Sequence, residues 1–355
     1  MRAAVRVATG LLSFVLCSCR DTARPPTADE DAQRPGALDR YVRWLGEISL
    51  EENDTVINVI PFVKLDGRGG FLVSDQQENQ IRAYRPDGKL VRHFGRSGSG
   101  PKEFTGLRGA VPMASGAVLA LSDDGRGVVF DSMGGTALHT FTVPLFPIQH
   151  IRLVSDTLLL LGGKALPQRG RAREGRLHLW SVTHDTLVRS FFTPRIEGRA
   201  HTLAATVAGF VGSDTRNDTV AAVFMLTDTL FFFSLDGRKL GQLPIPFQHF
   251  RPLGEGGRLI DNNSTMVERR EWLGTFSMVS DVFWLRDGGF LVQYQDRVGL
   301  TPHWRLLRMR RNGTRVFDVV GTPQLLAVDR RDDTLYFMKP GSLTANVWSR
   351  AKLAD

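Results

Sequence analysis

The chain has 355 residues, of which 42% are hydrophobic and 23% charged, with a formal net charge of +8 at pH 7. That hydrophobic share can bury a real core and the charged share is ordinary, so fibrous and wholly disordered classes are excluded. The basic side is nearly all arginine, with only seven lysines. No basic run reaches five residues and no arginines alternate with stacking aromatics, so nucleic acid is not an expected partner.

Arg2 and Arg6 open the chain, and Ala8 to Leu16 follow as an apolar stretch too short to cross a bilayer. Residues 1–18 read as a signal peptide. Leu16-Cys17-Ser18-Cys19 resembles a bacterial lipobox, with leucine three places and a small residue one place before the acylated cysteine. The resemblance implies that Cys19 is lipidated and becomes the mature N-terminus; Cys17 fits the pattern less well. These are the only two cysteines, so the folded part then has no disulfide, no cysteine nucleophile and no Cys-ligated zinc. Several acyl chains would hold the protein stably to a membrane surface. Residues 19–38 contain Pro25, Pro26, Pro35 and mixed charge, and are expected to form a disordered tether. The domain is then expected over 39–355. Arg20, standing where some bacteria use Asp for inner-membrane retention, points to the outer membrane of the cell envelope, facing periplasm or cell surface.

The next feature along the chain is a repeat. Its clearest unit runs from Phe62 to Phe104 and divides into four short strands: Phe62–Leu65, Phe71–Ser74, Gln80–Tyr84 and Leu90–Phe94. Turn signals separate them at 66–70 and at Pro86-Asp87-Gly88. Four antiparallel strands joined by tight turns make one propeller blade. On Gly70, Val73, Asp75, Ile81, Tyr84, Asp87-Gly88 and Gly98-Ser99-Gly100-Pro101-Lys102-Glu103-Phe104 the unit resembles the NHL-type repeat family. That resemblance is confined to this unit, and it implies a β-propeller.

The second-strand signal, a Gly or Asp-Thr turn before an apolar run, recurs six times, at Phe71, Val118, Leu158, Val220, Phe290 and Leu335. The turn between third and fourth strands recurs at Met133-Gly134-Gly135, His184-Asp185-Thr186, Leu235-Asp236-Gly237 and Arg311-Asn312-Gly313. The sixth copy ends about three strands into its blade. Tyr41 to Leu50 is strand-like and is the expected closing strand, since an open edge would invite aggregation. The sequence therefore predicts an all-β, six-bladed propeller of four-stranded antiparallel blades, closed by an N-terminal strand. Extra residues between the fourth and fifth copies, 247–275, are expected beside the mouth of the axial channel.

Two similar hexapeptides stand 99 residues apart, Pro147-Ile148-Gln149-His150-Ile151-Arg152 and Pro246-Phe247-Gln248-His249-Phe250-Arg251. In an extended chain His150 and Arg152 share one side, as do His249 and Arg251. Arg108 precedes the second copy comparably. If all five converge on the axis they form a cationic ring suited to a carboxylate, phosphate or sulfated ligand. The competing reading is structural: residues that recur once per blade often tie neighbouring blades together. Asp281 and Asp329 are the acids best placed for a metal, but the remaining histidines are scattered without ligand spacing, so neither metal nor cofactor is expected. No nucleophile motif of the Gly-x-Ser-x-Gly, Ser-x-x-Lys or His-Glu-x-x-His kind occurs. Asn53, Asn217 and Asn312 match glycosylation sequons but read as turns. Catalytic residues cannot be named. The first functional reading is a non-catalytic module binding an anionic small molecule, glycan or envelope protein. The second is a propeller enzyme, a hydrolase or lyase, with its site at the axis.

Overall fold

A strand covered on both faces carries apolar side chains at every position, because successive side chains point to opposite sides. The six apolar runs behave this way. Each becomes the second strand of a four-stranded antiparallel sheet in the computed structural model, which describes residues 36–51, 62–166, 175–193, 211–254, 264–298, 301–339 and 346–354. The leader, Cys19 and residues 20–35 lie outside the described residues.

In chain order, β1 is Val42–Ser49. Blade one is β2 (Phe62–Leu65), β3 (Phe71–Asp75), β4 (Gln80–Tyr84) and β5 (Leu90–Phe94). Blade two is β6 (Leu107–Pro112), β7 (Val118–Ser122), β8 (Arg126–Phe130) and β9 (Ala137–Thr142). Blade three is β10 (Leu145–Ser155), β11 (Leu158–Ala165), β12 (Leu177–Ser181) and β13 (Thr186–Phe191). Blade four is β14 (Val211–Arg216), β15 (Thr219–Phe224), β16 (Thr229–Ser234) and β17 (Lys239–Pro244). Blade five is β18 (Met278–Trp284), β19 (Phe290–Val298), β20 (Thr301–Met309) and β21 (Arg315–Val320). Blade six joins β22 (Leu325–Asp329), β23 (Thr334–Met338) and β24 (Val347–Leu353) to β1. The first strands β2, β6, β10, β14, β18 and β22 lie innermost, and β2 packs beside both β6 and β22.

The core is divided among the six interfaces between blades. On β11, Leu159 and Leu161 pack toward blade two, while Leu160 packs toward blade four. On β15, Val220, Ala222 and Phe224 pack toward blade three, and Ala221 and Val223 toward blade five. Strand periodicity thus converts one apolar run into two interfaces. At the seam between blades six and one, Trp348 is fully buried with its ring 5.1 Å from that of Phe71 and nearly perpendicular to it.

That seam is the closure. β1 pairs antiparallel with β24 from Val42↔Leu353 to Ser49↔Val347, with a bulge between Trp44 and Gly46. The Asp87-Gly88 turn of blade one locks onto this strand: Glu51 N donates to Gly88 O at 2.8 Å. Gly88 has φ +84°, and a Cβ there would stand 2.2 Å from Ser49 O, so only glycine suits the site. Ala37 and Leu38 are buried against blade five and six residues including Phe317 and Leu335. The folded ring therefore includes two residues of the segment expected to be tether, because Leu38 covers apolar surface that would otherwise face water.

The segment between blades four and five contains a short helix, α1 (Met266–Leu273), which the sequence reading did not include. Its start is a capping box: Glu268 N donates to Thr265 Oγ1 at 3.2 Å and Thr265 N donates to Glu268 Oε2 at 2.8 Å. Leu253, Trp272 and Phe276 pack with Met225 and Leu226 of blade four. Among the described residues no helix is long and apolar enough to cross a membrane.

Candidate functional site

The innermost strands must face the axis with one side and a neighbouring strand with the other. β2 shows the consequence: Val63 is buried in the seam with blade six, and Phe62 and Lys64 alternate onto the axial side. Around the axis runs a cavity of about 680 Å³, within the size range of small-molecule sites. Its apolar wall includes Phe62, Met113, Met225, Met278, Phe283 and Trp284. Phe62 lies flat into the space that a side chain at Gly109 would take, since a Cβ there would stand 2.5 Å from the ring.

Among the described lining residues, six cations face four carboxylates. The cations are Lys64, Arg108, Arg152, Arg297, Arg330 and Arg331, and the acids are Asp66, Asp214, Asp281 and Asp329. Three acids are in ion pairs. Arg152 Nη2 lies 3.4 Å from Asp281 Oδ2, Arg331 Nη2 lies 2.6 Å from Asp329 Oδ2, and Arg330 pairs with Asp214. Asp66 closes its own turn, accepting from Arg68 N at 2.7 Å and Gly70 N at 2.8 Å. Positive charge is left in excess.

At the centre, Arg152 Nε shares its hydrogen between Ser213 O at 3.0 Å and His150 Nε2 at 3.1 Å. Burial, and next the Arg152 guanidinium, hold the His150 imidazole well below its usual value, so the ring is neutral and can accept that hydrogen. Lys64 Nζ sits 4.6 Å from the Phe62 ring centroid. Burial first, then Arg152, push its amine well below the ordinary lysine range, with Asp281 opposing. Burial also raises the Asp281 carboxyl, against the pull of Arg152 and Lys64. Three further polar atoms lining the cavity, Trp284 Nε1, Arg297 Nε and Gln324 Oε1, are buried without a hydrogen-bond partner among the described residues. Buried polar atoms of this kind call for a ligand or water.

The structure places Arg108, His150 and Arg152 on the cavity wall, on β6 and β10. It does not bring His249 and Arg251 there. Pro147–Arg152 lies inside an innermost strand, but Pro246–Arg251 lies in the connection before α1, and the innermost strand of blade five begins only at Met278. His249 O accepts from Arg305 Nη1 at 3.1 Å, and Arg251 N donates to Ser277 Oγ at 2.9 Å. Arg251 Nη2 reaches Gly274 O at 3.0 Å. The two hexapeptides are alike in sequence and different in position. The intervening segment does approach the cavity, where Leu273 at the end of α1 lines it.

The axial site also holds residues that the sequence reading passed over, chiefly Lys64, Asp214 and Arg330. For Lys64 a signal existed: one charge between Val63 and Leu65 in a predicted first strand. Asp281, weighed as a metal ligand, is instead paired with Arg152, and Asp329 with Arg331. Among the described residues no three His, Cys, Asp or Glu side chains gather as a metal cluster.

No family model matches the chain, and no curated protein matches it. Solved structures do. A member of the duf4221 family from Bacteroides vulgatus atcc 8482 aligns with TM-score 0.64 at 11% identity, covering 88% of this chain and 98% of its own. A protein of Bacteroides fragilis NCTC 9343, described as exported, aligns with TM-score 0.61 at 9% identity, covering 89% and 96%. At such identities these likenesses speak to the fold alone, and with six four-stranded antiparallel sheets around one axis that fold is a six-bladed β-propeller.

Proposed function

We propose that the chain is an exported, lipid-anchored propeller that binds an anionic organic molecule in its axial cavity. The observation that carries this is the excess of cationic over acidic side chains on one partly apolar wall, with three of the four acids already paired. A ligand with a carboxylate or phosphate and an apolar body would meet both kinds of surface. The orphaned Trp284 Nε1 and Arg297 Nε would supply further donors. The leader, the lipobox ending at Cys19 and Arg20 support attachment to the outer membrane, and a structural neighbour described as exported agrees with export. The blade-one resemblance to NHL-type repeats fits a protein whose loops and axis carry binding.

The test is a thermal-melt screen of small carboxylates, phosphates and sulfated sugars against the purified protein. A specific ligand at a hundred times its Kd should stabilise by about 2.7 kcal/mol. Replacing Arg152 by Met should remove the response. A panel in which neutral sugars stabilise and no anion does would refute the reading. Lipidation is tested separately, by palmitate incorporation that Cys19→Ser should abolish.

A further inference from the structure

Lys64 is unlike the other cations of the cavity, which are all arginines, since an amine gives up its proton more readily than a guanidinium. Its neighbours press it that way. The wall around it is apolar on the Phe62 side, and the nearest strong charges include the guanidinium of Arg152. A neutral amine in a confined cavity is a nucleophile toward a carbonyl carbon.

We propose that Lys64 is a covalent acceptor for anionic oxo compounds, that is, aldehydes or ketones bearing a carboxylate, such as 2-oxo acids. The inference rests on the reading of the axial cavity as an anion site. The carboxylate docks against Arg152 and the adjoining cations, which places the carbonyl carbon before Nζ. The Nζ lone pair forms the C–N bond as the carbonyl π pair moves to oxygen. The Asp281 carboxylate, which faces the same cavity, takes a proton from the new ammonium and passes it to that oxygen. It then takes the remaining N–H proton and passes it to the departing hydroxyl, which leaves as water as the nitrogen lone pair closes the C=N bond. One amine and one carbonyl become one imine and one water, with no change of oxidation state. The raised Asp281 carboxyl suits a group that passes protons in both directions.

The experiment traps the imine. The purified full chain is incubated at pH 7 with glyoxylate or pyruvate and sodium cyanoborohydride, which reduces an imine to a stable secondary amine, and the labelled lysine is found by peptide mass mapping. Each unit by which an amine is lowered multiplies its neutral fraction tenfold, so Lys64 should label at least ~10-fold faster than each other lysine. Its labelling should also level off at lower pH than theirs. Arg152→Met should slow labelling by glyoxylate and pyruvate more than labelling by acetaldehyde, which has no carboxylate to dock and loses only the guanidinium's lowering of the Lys64 amine. Labelling spread evenly over the lysines, or absent from Lys64, overturns the proposal. Lactate, with the same charge but no ketone, separates the two readings. If lactate and pyruvate both raise the melting temperature while Lys64 stays unlabelled, the covalent step is wrong and the anion site stands. If neither raises it and Lys64 stays unlabelled, both are wrong.

Discussion

His150 makes the axial cluster sensitive to acid, and the size of the effect can be worked out. The ring is buried, accepts from Arg152, and is surrounded by Arg152 on its own strand, Lys64 on β2 and Arg108 on β6. Burial and these cations keep it neutral in the folded state, whereas in the unfolded chain it takes a proton near pH 6.5. The folded value is depressed, so the unfolded chain binds more protons below 6.5 and stability falls as the pH drops. The largest possible loss between pH 7.5 and 5.5, reached when the folded ring takes no proton at all, is RT ln(1 + 10), about 1.4 kcal/mol. Carboxylates titrate too, but they do so equally in a His150→Gln variant, whose amide oxygen can still accept from Arg152. Urea unfolding of both proteins at pH 7.5, 6.5 and 5.5 isolates the histidine. The stability difference between wild type and variant should move in the variant's favour between the first and last pH, by at most about 1.4 kcal/mol. A difference that stays constant across that range would refute the neutral, cation-flanked histidine.

Other substitutions test the ring and the site. Trp348→Ala empties the seam between blades six and one and should cost about 3–5 kcal/mol by denaturant titration. Gly88→Ala puts a side chain at φ +84° against Ser49 O, and should cost more than about 1 kcal/mol and loosen the closing strand, read as faster amide exchange in β1. Lys64→Met removes an amine that burial disfavours in its charged form. Wild-type stability should rise with pH between the lowered folded value and 10.5, where the unfolded chain still holds the proton, and the variant's curve should lose that rise. Arg152→Met leaves Asp281 without its guanidinium and should weaken binding of any anion found in the screen by at least ~10-fold, measured by calorimetry.

Blade number, strand order and closure were legible in the chain because they rest on local signals. A tight turn needs a residue that accepts positive φ, and Gly88, Gly134, Asp185, Gly237 and Gly313 mark the same turn in five blades. A strand covered on both faces must be apolar throughout, and six such runs are present. The strand-poor end of the sixth copy had to be completed by an earlier segment, and β1 does so. The edge between tether and domain was less legible. Ala37 and Leu38 are too few to read as a buried element, and their burial depends on a partner surface formed by Phe317 and Leu335, some 280 residues away.

The site was only partly legible, because proximity at the axis is a property of the ring and not of any segment. Arg152 of blade three meets Ser213 of blade four and Asp281 of blade five, contacts separated by 61 and 129 residues. The hexapeptide match selected by likeness in sequence, and likeness misled at His249 and Arg251, where residues 247–277 delay the next inner strand. A rule of position does better. Each first strand packs one face against its neighbour and turns the other to the axis, so alternate residues of β2, β6, β10, β14, β18 and β22 nominate the lining. Applied to this chain, that rule returns Lys64 beside Arg108, His150, Arg152 and Asp281. A lysine so placed stands between Val63 and Leu65, which pack into the seam with blade six, while its own side chain lines the cavity. The charge on the axis is therefore set by strand alternation, and the ligand that best relieves it is an anion.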